Sequence, residues 1–334
     1  MERLNIGVVG VGHLGSLHAK MLAEMPDVYL AGVHDIDMDK ARKIASEFTT
    51  TAAENLDQLL CNVGALTIAT STTAHFQVAR KALEQGIPVF IEKPVTQSIA
   101  EADALVKLAK KKGVIVQVGH IERFNPAILA LDKYQINPMF VESHRLAQFN
   151  PRGTDVPVVL DLMIHDIDII LSFVKSPVVR VDANGVAVVS DTADIANARI
   201  QFENGCVANV TASRISQRKM RKMRLFQRNE YISIDFSEGL AEVFKLVDAN
   251  ESTAQGTMML GELGSGKYKH KIVYEQPEVK EVNALKYELE LFTKTIRQNS
   301  EPLVTAEDGK RALEVANIIM RKIDQQTWKN IKTA

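Results

Sequence analysis

The N-terminal third of the chain alternates short apolar runs with longer amphipathic segments. Runs rich in Val and Ile predict strands at about 4–10, 28–34, 64–70, 87–91 and 114–118. The segments between them have helical periodicity, for instance 13–25, 73–86 and 97–112. Strands that alternate with helices are typical of a parallel sheet covered by helices on both faces. We therefore expect a doubly wound α/β domain over residues 1–120.

The pattern changes after Gly119. One helical stretch at 157–174 is followed by consecutive strand-like runs at 178–189, 193–202, 206–213, 222–227, 231–236 and 240–247. This order predicts an α+β domain over 121–281 with a largely antiparallel open sheet, and residues 248–268 indicate a loop. Helices at about 282–299 and 305–327 complete a C-terminal segment, 282–334, expected to pack back on the domains. Because one face of the sheet needs cover, we expect a homodimer or homotetramer.

Composition and charge narrow the class of protein. The chain has 334 residues, enough for two domains, and 40 Lys and Arg balance 41 Asp and Glu, which argues against nucleic acid as a partner. The most apolar late stretch, VVLDLMIHDIDIILSFV, contains four ionisable side chains, so we expect no membrane segment. Cys61 and Cys206 lack the spacing of metal ligands and indicate free thiols in a reducing compartment. We expect no bound metal and a cytoplasmic location.

A glycine-rich motif, GVGHLG, follows the first strand and opens the first helix. Glycines at such positions permit a tight turn, close approach of backbone N–H groups to a pyrophosphate, and close packing of helix on sheet. The motif in this context predicts a Rossmann dinucleotide-binding domain. The cofactor-binding residues that it predicts are Gly10, Gly12, His13, Leu14 and Gly15.

The second strand ends next to Asp35, 20 residues beyond Gly15. An acidic side chain at this distance accepts hydrogen bonds from both hydroxyls of an adenosine ribose. A turn or helix-capping aspartate is the structural alternative, but Asp37 suits the cap better because it directly precedes the helical run MDKARKIASEF. Since a carboxylate repels a 2′-phosphate, we expect NAD as cofactor in preference to NADP.

Two further features indicate chemistry. Lys93, in the run EKP, follows an apolar strand, and ligands of open parallel sheets bind beyond the carboxyl ends of their strands. Asp161 and His165 are spaced i, i+4 within the predicted helix and so share one face. Read separately, an exposed lysine and a core histidine satisfied by an aspartate are the structural alternatives. Together the three residues predict an acid/base set for alcohol oxidation.

These motifs together resemble the Gfo/Idh/MocA family of oxidoreductases. The resemblance extends from about Leu4 to the last helix and is carried by GVGHLG, ATSTTAH at 69–75, EKP at 92–94, VGHIERFNP at 118–126 and DLMIH at 161–165. It implies that Lys93, Asp161 and His165 are catalytic. It also implies a cis peptide before Pro94, as in some members, and further cofactor-binding residues at Thr70, Ser71, His75, Glu92 and Lys93. One departure is QRNEY at 227–231, where the family often has a Gly-rich turn.

The run HIERFNP is similar to a subgroup that oxidises the 3-hydroxyl of UDP-N-acetylglucosamine. By this resemblance, His120, Glu122 and Arg123 bind substrate, although Arg123 equally suits a structural ion pair. A free sugar or polyol such as inositol is the nearest alternative substrate. A basic segment lies at 214–224. It indicates a charged edge strand or, alternatively, a site for a diphosphate. Its basic residues are Arg214, Arg218, Lys219, Arg221, Lys222 and Arg224.

Two other functions fit the same fold. A non-catalytic regulator that senses a dinucleotide needs no proton-transfer groups, and a biliverdin-reductase-like enzyme does not require His165. Retention of Lys93, Asp161 and His165 together favours an NAD(P)-dependent dehydrogenase that acts on a CH–OH group.

Overall fold

The computed structural model describes residues 2–150, 156–250, 257–264 and 269–332. The chain divides into two compact units, one formed by Met1–Ile121 with Asn283–Glu314 and the other by Glu122–Val282 with Val315–Ala334. Over the residues described, none of the helices combines the length and the apolar character needed to cross a bilayer.

The first unit contains a five-stranded parallel sheet in the order β2-β1-β3-β4-β5. Its strands are β1 (Leu4–Val9), β2 (Val28–His34), β3 (Ala65–Ile68), β4 (Val89–Glu92) and β5 (Val116–Gly119). Its helices are α1 (His13–Glu24), α2 (Met38–Glu47), α3 (Leu56–Leu60), α4 (Thr72–Glu84) and α5 (Ile99–Lys112). Strands β3, β4 and β5 are mostly apolar and are buried along their whole length, as a sheet covered on both faces requires. The predicted doubly wound sheet is confirmed.

The strand order reverses beside β1, because β2 lies on one side of it and β3 on the other. A single parallel bridge between Val33 and Ala52 extends the sheet beyond β2. In open α/β sheets, ligands bind beyond the carboxyl ends of the strands at such a reversal. The loops that follow β1, β2 and β3 are therefore the expected location of a cofactor.

The second unit contains a nine-stranded sheet in the order β13-β14-β12-β11-β10-β6-β9-β8-β7. Every neighbouring pair is antiparallel except β6 and β9. Its strands are β6 (Phe140–Leu146), β7 (Val178–Val186), β8 (Ile195–Phe202), β9 (Val207–Ser213), β10 (Met220–Gln227), β11 (Glu230–Asp235), β12 (Leu240–Asp248), β13 (Met258–Leu263) and β14 (His270–Glu275). Helices α6 (Pro126–Leu129) and α7 (Ile164–Val174) precede most of the sheet, and α8 (Ala284–Gln298) and α9 (Ala306–Lys332) follow it in the chain.

Two predictions about this sheet are wrong. Residues 248–268 are not one loop, because β13 lies within them, while 251–256 and 265–268 fall outside the described residues. None of the residues of β13 is buried, so the strand lacks the apolar alternation that a sequence pattern can detect. The basic strand β10 is not an edge strand, because it pairs with both β6 and β11.

The run QRNEY at 227–231, where the sequence departs from the family pattern, forms the tight turn between β10 and β11. Asn229 takes the left-handed conformation at φ 59°, which glycine adopts most easily and asparagine tolerates. Gln227 pairs with Glu230 across the turn. Asn229 therefore fills the conformational role of the Gly-rich turn that the family resemblance implies.

Candidate active site

The glycine motif forms the turn between β1 and α1. Gly10 has φ 81°, a conformation that favours glycine. A Cβ atom at Gly15 would overlap the carbonyl oxygen of Gly10, so the helix packs onto the turn only with glycine there. Gly12, His13 and Leu14 are exposed at the N-terminus of the helix. Backbone N–H groups at this end are free to bind an anionic phosphate.

The carboxylate of Asp35 is fixed at the end of β2 by backbone donors. One oxygen accepts a hydrogen bond from the Val11 N–H at 2.7 Å, and the other accepts one from the Asp37 N–H at 2.9 Å. Each oxygen keeps a lone pair for a further donor such as a ribose hydroxyl. Asp37 caps α2 by accepting from the Lys40 N–H at 3.3 Å, so the capping role falls to Asp37 as predicted.

A cavity of about 400 Å³ opens beside this carboxylate. Thr70 and Ser71 line it together with the glycine turn, as the sequence predicts for a cofactor-binding loop. Most of its other lining side chains are apolar, and they include Ile36 and Leu56. Ile36 is 99% exposed, so its aliphatic surface is available for contact with a ligand in the cavity. The sequence prediction missed both side chains, although an apolar residue directly after Asp35 was the available signal.

Lys93 lies directly after β4 and is half-buried, and the Lys93–Pro94 peptide bond is cis. The preceding Glu92 is buried, and its Oε1 lies 3.0 Å from Nε2 of His18 on α1. Its Oε2 accepts a hydrogen bond from the Lys93 N–H at 3.2 Å. Direct contact of Glu92 with the cofactor stays a prediction. His18 was not predicted, because a lone histidine on an apolar helix face looks like ordinary core.

His75 on α4 is also buried, with 1% of its surface exposed. Its Nδ1 lies 3.0 Å from the carbonyl oxygen of Pro94, and its Nε2 lies 3.2 Å from that of Thr70. Burial lowers the pKa of His75, against the opposing effect of these carbonyl groups. The ring therefore joins the loops after β3 and β4, and any contribution to cofactor binding acts through those loops.

In the second unit, Asp161 and His165 are both half-buried. The predicted continuous helix over 157–174 needs correction, because Asp161 lies in a π-helical turn, Val159–Met163, and His165 lies in the first turn of α7. Such π-helical turns occur often at functional sites. The i, i+4 spacing of the two side chains is a property of the sequence and was available without the structure.

Glu122 and Arg123 belong to a buried ion-pair network of the second unit. Arg145 contacts Asp166 at 2.8 and 3.0 Å and Glu122 at 3.1 Å. Arg123 makes two hydrogen bonds of 2.7 Å to Asp168, a bidentate pair.

This geometry favours a structural role for Arg123 and Glu122. His120, in the first unit, is likewise buried, so substrate binding by these three residues stays a prediction.

Most of the predicted basic segment is neutralised by neighbouring carboxylates. The pairs are Arg214 with Asp194, Arg221 with Glu122, Lys222 with Asp235 and Arg224 with Glu142. Arg218 and Lys219 are exposed on the connection between β9 and β10. A diphosphate site, if built from this segment, rests on those two residues.

Comparison with known proteins identifies the family to which the chain belongs. Residues 4–120 match the family model described as the oxidoreductase family with an NAD-binding Rossmann fold, and residues 141–241 match that of the GFO/IDH/MocA C-terminal domain. The chain is 41% identical over 245 residues to UDP-N-acetylglucosamine 3-dehydrogenase from Acidithiobacillus ferrooxidans, covering 73% of this chain and 78% of that protein. The chain belongs to the Gfo/Idh/MocA oxidoreductase family.

Further relatives agree with this assignment. The structure of the Acidithiobacillus enzyme superposes with a TM-score of 0.86 at 34% identity, covering 97% of this chain and 99% of that one. Myo-inositol 2-dehydrogenase from Thermotoga maritima is 24% identical over 341 residues, 97% of each chain. Scyllo-inositol dehydrogenase from Lactobacillus casei shares the fold, with a TM-score of 0.77 at 20% identity over 97% of this chain and 98% of that one. The predicted family, fold class and NAD-binding Rossmann domain are confirmed.

Proposed function

We propose that this oxidoreductase uses NAD to oxidise the 3-hydroxyl of UDP-N-acetylglucosamine. The observation that carries the proposal is the 41% identity to an enzyme named for that reaction. The inositol dehydrogenases among its relatives are less similar, at 24% and 30% identity. The HIERFNP run at 120–126 supports the same substrate class.

The first unit supplies the cofactor site in this proposal. The exposed N-terminus of α1 binds the pyrophosphate, and the Asp35 carboxylate accepts hydrogen bonds from the adenosine ribose. Ile36 and Leu56 contact the adenine ring, which would remove their apolar surface from water. The fixed negative charge of Asp35 disfavours a 2′-phosphate, so NAD is the preferred form.

The acid/base residues act on the substrate hydroxyl. When bound, NAD accepts the hydride from the carbon that carries this hydroxyl. His165 takes the hydroxyl proton, and Lys93 donates a hydrogen bond to the oxygen and stabilises the negative charge that develops there. Asp161 orients one of these two groups. The products are the 3-keto sugar, reduced cofactor and protonated His165.

A substrate panel tests this function. The purified enzyme is incubated with NAD and, in separate reactions, with UDP-N-acetylglucosamine, other UDP-hexoses, free hexoses and inositol. We expect NADH formation and thermal stabilisation with UDP-N-acetylglucosamine first. Replacing Lys93→Met should abolish turnover and leave the NAD dissociation constant nearly unchanged.

Two results would replace the proposal. If only free polyols reduce NAD, the enzyme is an inositol-type dehydrogenase. If NAD binds but no sugar is oxidised, a dinucleotide-sensing regulator takes its place. A Lys93→Met enzyme with wild-type turnover would remove the lysine from the mechanism.

We also propose that the enzyme is a homo-oligomer that associates through one face of the nine-stranded sheet. A row of directly paired side chains crosses six neighbouring strands of that face, namely Phe140, Phe226, Tyr231, Phe244, Tyr274 and Met258. The aromatic ring centroids lie 5.0–5.8 Å apart, and Phe226 and Met258 are exposed. A contiguous exposed apolar surface is typical of a protein–protein interface. We propose a second copy of this chain as the partner, because most soluble oligomers are homo-oligomers.

A further inference from the structure

Two buried histidines contact the short turn that carries Lys93. His18 comes from α1 and His75 from α4, and the turn comprises Glu92–Val95. We propose that His18 and His75 are positioning residues that fix the backbone of this turn and thereby the starting point of the Lys93 side chain. This inference rests on the catalytic role of Lys93 in the proposed function.

His75 holds the turn from the carboxyl side of Lys93. Its two ring nitrogens face two carbonyl oxygens, that of Pro94 at 3.0 Å and that of Thr70 at 3.2 Å. A neutral imidazole donates from one nitrogen only, so the neutral ring forms a hydrogen bond to one of the two carbonyl oxygens, whereas a protonated ring would donate to both. With 1% of its surface exposed, His75 has no room to change this arrangement.

His18 holds the turn from the amino side of Lys93. Its Nε2 lies 3.0 Å from Glu92 Oε1, and Glu92 Oε2 accepts from the Lys93 N–H. The ring is fully buried and packs edge-on against Phe90, with centroids 5.4 Å apart. Nδ1 of His18 has no hydrogen-bond partner among the residues that the structure describes, so Nε2 is the nitrogen that donates to the Glu92 carboxylate. The carboxylate thus receives one donor from α1 and one from the turn itself.

Gly119 leaves the space for this carboxylate. A Cβ atom at that position would lie 3.1 Å from Cδ and from Oε2 of Glu92. A side chain at position 119 would therefore press on the Glu92 carboxylate that contacts His18.

The two contacts tie the turn to the loops that border the cofactor cavity. Helix α1 begins at the glycine turn, and α4 begins directly after Thr70 and Ser71. Lysine has a long flexible side chain, so a fixed backbone at its base limits the region that its ammonium group can reach. A displacement of about 1 Å costs about 100-fold in rate when the reacting groups lose their alignment.

Substitution of the two histidines tests the proposal. His75→Leu and His18→Leu remove the ring nitrogens, whereas His75→Gln and His18→Gln keep an amide that can still donate. We expect the leucine variants to lower kcat by about 10- to 100-fold, with the glutamine variants intermediate. Gln77→Ala, on the exposed side of α4, is the matched control and should keep wild-type kcat.

A second readout needs neither substrate nor cofactor. Competitive acetylation with acetic anhydride, followed by mass spectrometry, gives the rate and pH profile of Lys93 relative to the exposed Lys20 in the same chain. We expect Lys93 in the wild type to react more slowly than Lys20, and its profile in the histidine variants to move toward that of Lys20. A purely structural role would lower the melting temperature and leave the Lys93 profile unchanged.

Folded His75 and His18 variants with wild-type kcat and wild-type Lys93 acetylation would overturn the proposal. If the leucine variants do not fold, kcat and the Lys93 acetylation profile of the glutamine variants decide whether the proposal holds. If the wild-type enzyme oxidises none of the sugars in the panel, the proposed function fails. The acetylation profiles still decide whether the histidines position Lys93.

Discussion

At the scale of single residues, the Asp35 carboxylate is held in place by two backbone N–H donors, those of Val11 and Asp37. The carboxylate is therefore preorganised, and a ribose that binds to it need not immobilise a side chain. Hydrogen bonds to a charged group contribute more than neutral ones, about 1.5–3 kcal/mol each.

Replacing Asp35→Ser should weaken NAD binding by about 10- to 100-fold and narrow the preference over NADP, because the charged acceptor is lost. Fluorescence titration with both cofactors measures the two affinities. Asp37→Ser is the control. Serine can still cap α2 at this position, so the affinities for NAD and NADP should both stay unchanged. An Asp35→Ser enzyme with wild-type NAD affinity would remove Asp35 from the ribose site.

Single positions were predictable where a local pattern fixes the chemistry. The glycine spacing and the distance to Asp35 are such patterns, and the division of roles between Asp35 and Asp37 follows from which residue precedes the helix. His18 and His75 could not be recognised in this way, because their roles come from contacts with turns distant in sequence. The ion pair of Arg123 with Asp168 likewise joins residues 45 positions apart.

At the scale of elements, the glycine turn permits a sharp comparison of two neighbouring positions. A Cβ atom at Gly15 would overlap the Gly10 carbonyl oxygen, whereas one at Gly12 meets no atom within 4 Å. Gly15→Ala should therefore destabilise the protein by about 1–3 kcal/mol through overpacking. Gly12→Ala should keep wild-type stability and weaken NAD binding, because in the proposed cofactor site the backbone at Gly12 lies close to the pyrophosphate.

Thermal unfolding and NAD titration of both variants check this pair of outcomes. Equal melting temperatures for the two variants would contradict the close contact between α1 and the turn. Unchanged NAD affinity in Gly12→Ala would contradict the position assigned to the pyrophosphate.

The connection between β7 and β8 depends on one buried carboxylate. Burial alone would raise the pKa of Asp194, but hydrogen bonds from the Val189 N–H, the Ser190 hydroxyl and the Val188 N–H outweigh it and hold the pKa well below its usual range. A carboxyl group with a lowered pKa stabilises the fold above the ordinary range of aspartate, and this contribution is lost as the pH falls through and below about 4.

Asp194→Asn should therefore destabilise the protein by about 2–4 kcal/mol at pH 7, because Arg214 loses its carboxylate and the backbone donors lose a charged acceptor. The difference from wild type should shrink as the pH falls from 7 toward 3. Urea unfolding at both pH values measures it, and Asp191→Asn, exposed in the same connection, is the control. A difference that stays constant with pH would contradict the lowered pKa.

Helices and strands were predicted most accurately where apolar residues recur with a clear helical or strand period. All five strands of the parallel sheet are predicted from buried Val and Ile runs, and the observed limits differ by only a few residues. Strand β6 escaped detection because its buried positions include Ser143 and Arg145, which interrupt the apolar alternation. Strand β13 has no buried side to detect. The π-helical turn before α7 has no known sequence signal in this chain.

At the scale of the whole molecule, the apolar row on the nine-stranded sheet should hold protomers together. Phe226→Glu places a charge within that row and should shift the enzyme to a smaller species in light scattering coupled to size-exclusion chromatography. Leu303→Glu, an exposed site in the first unit, should leave the molar mass unchanged. A wild-type enzyme that elutes as a monomer at all concentrations would contradict the proposed interface.

In the proposed reaction, hydride passes from carbon 3 of a nucleotide sugar to NAD. Its most direct test is oxidation of UDP-N-acetylglucosamine that carries deuterium at that carbon, followed by mass spectrometry of the reduced cofactor. We expect the NADH formed in this reaction to contain the deuterium. Unlabelled NADH from the labelled sugar, or NADH formed only when inositol is supplied, would contradict it.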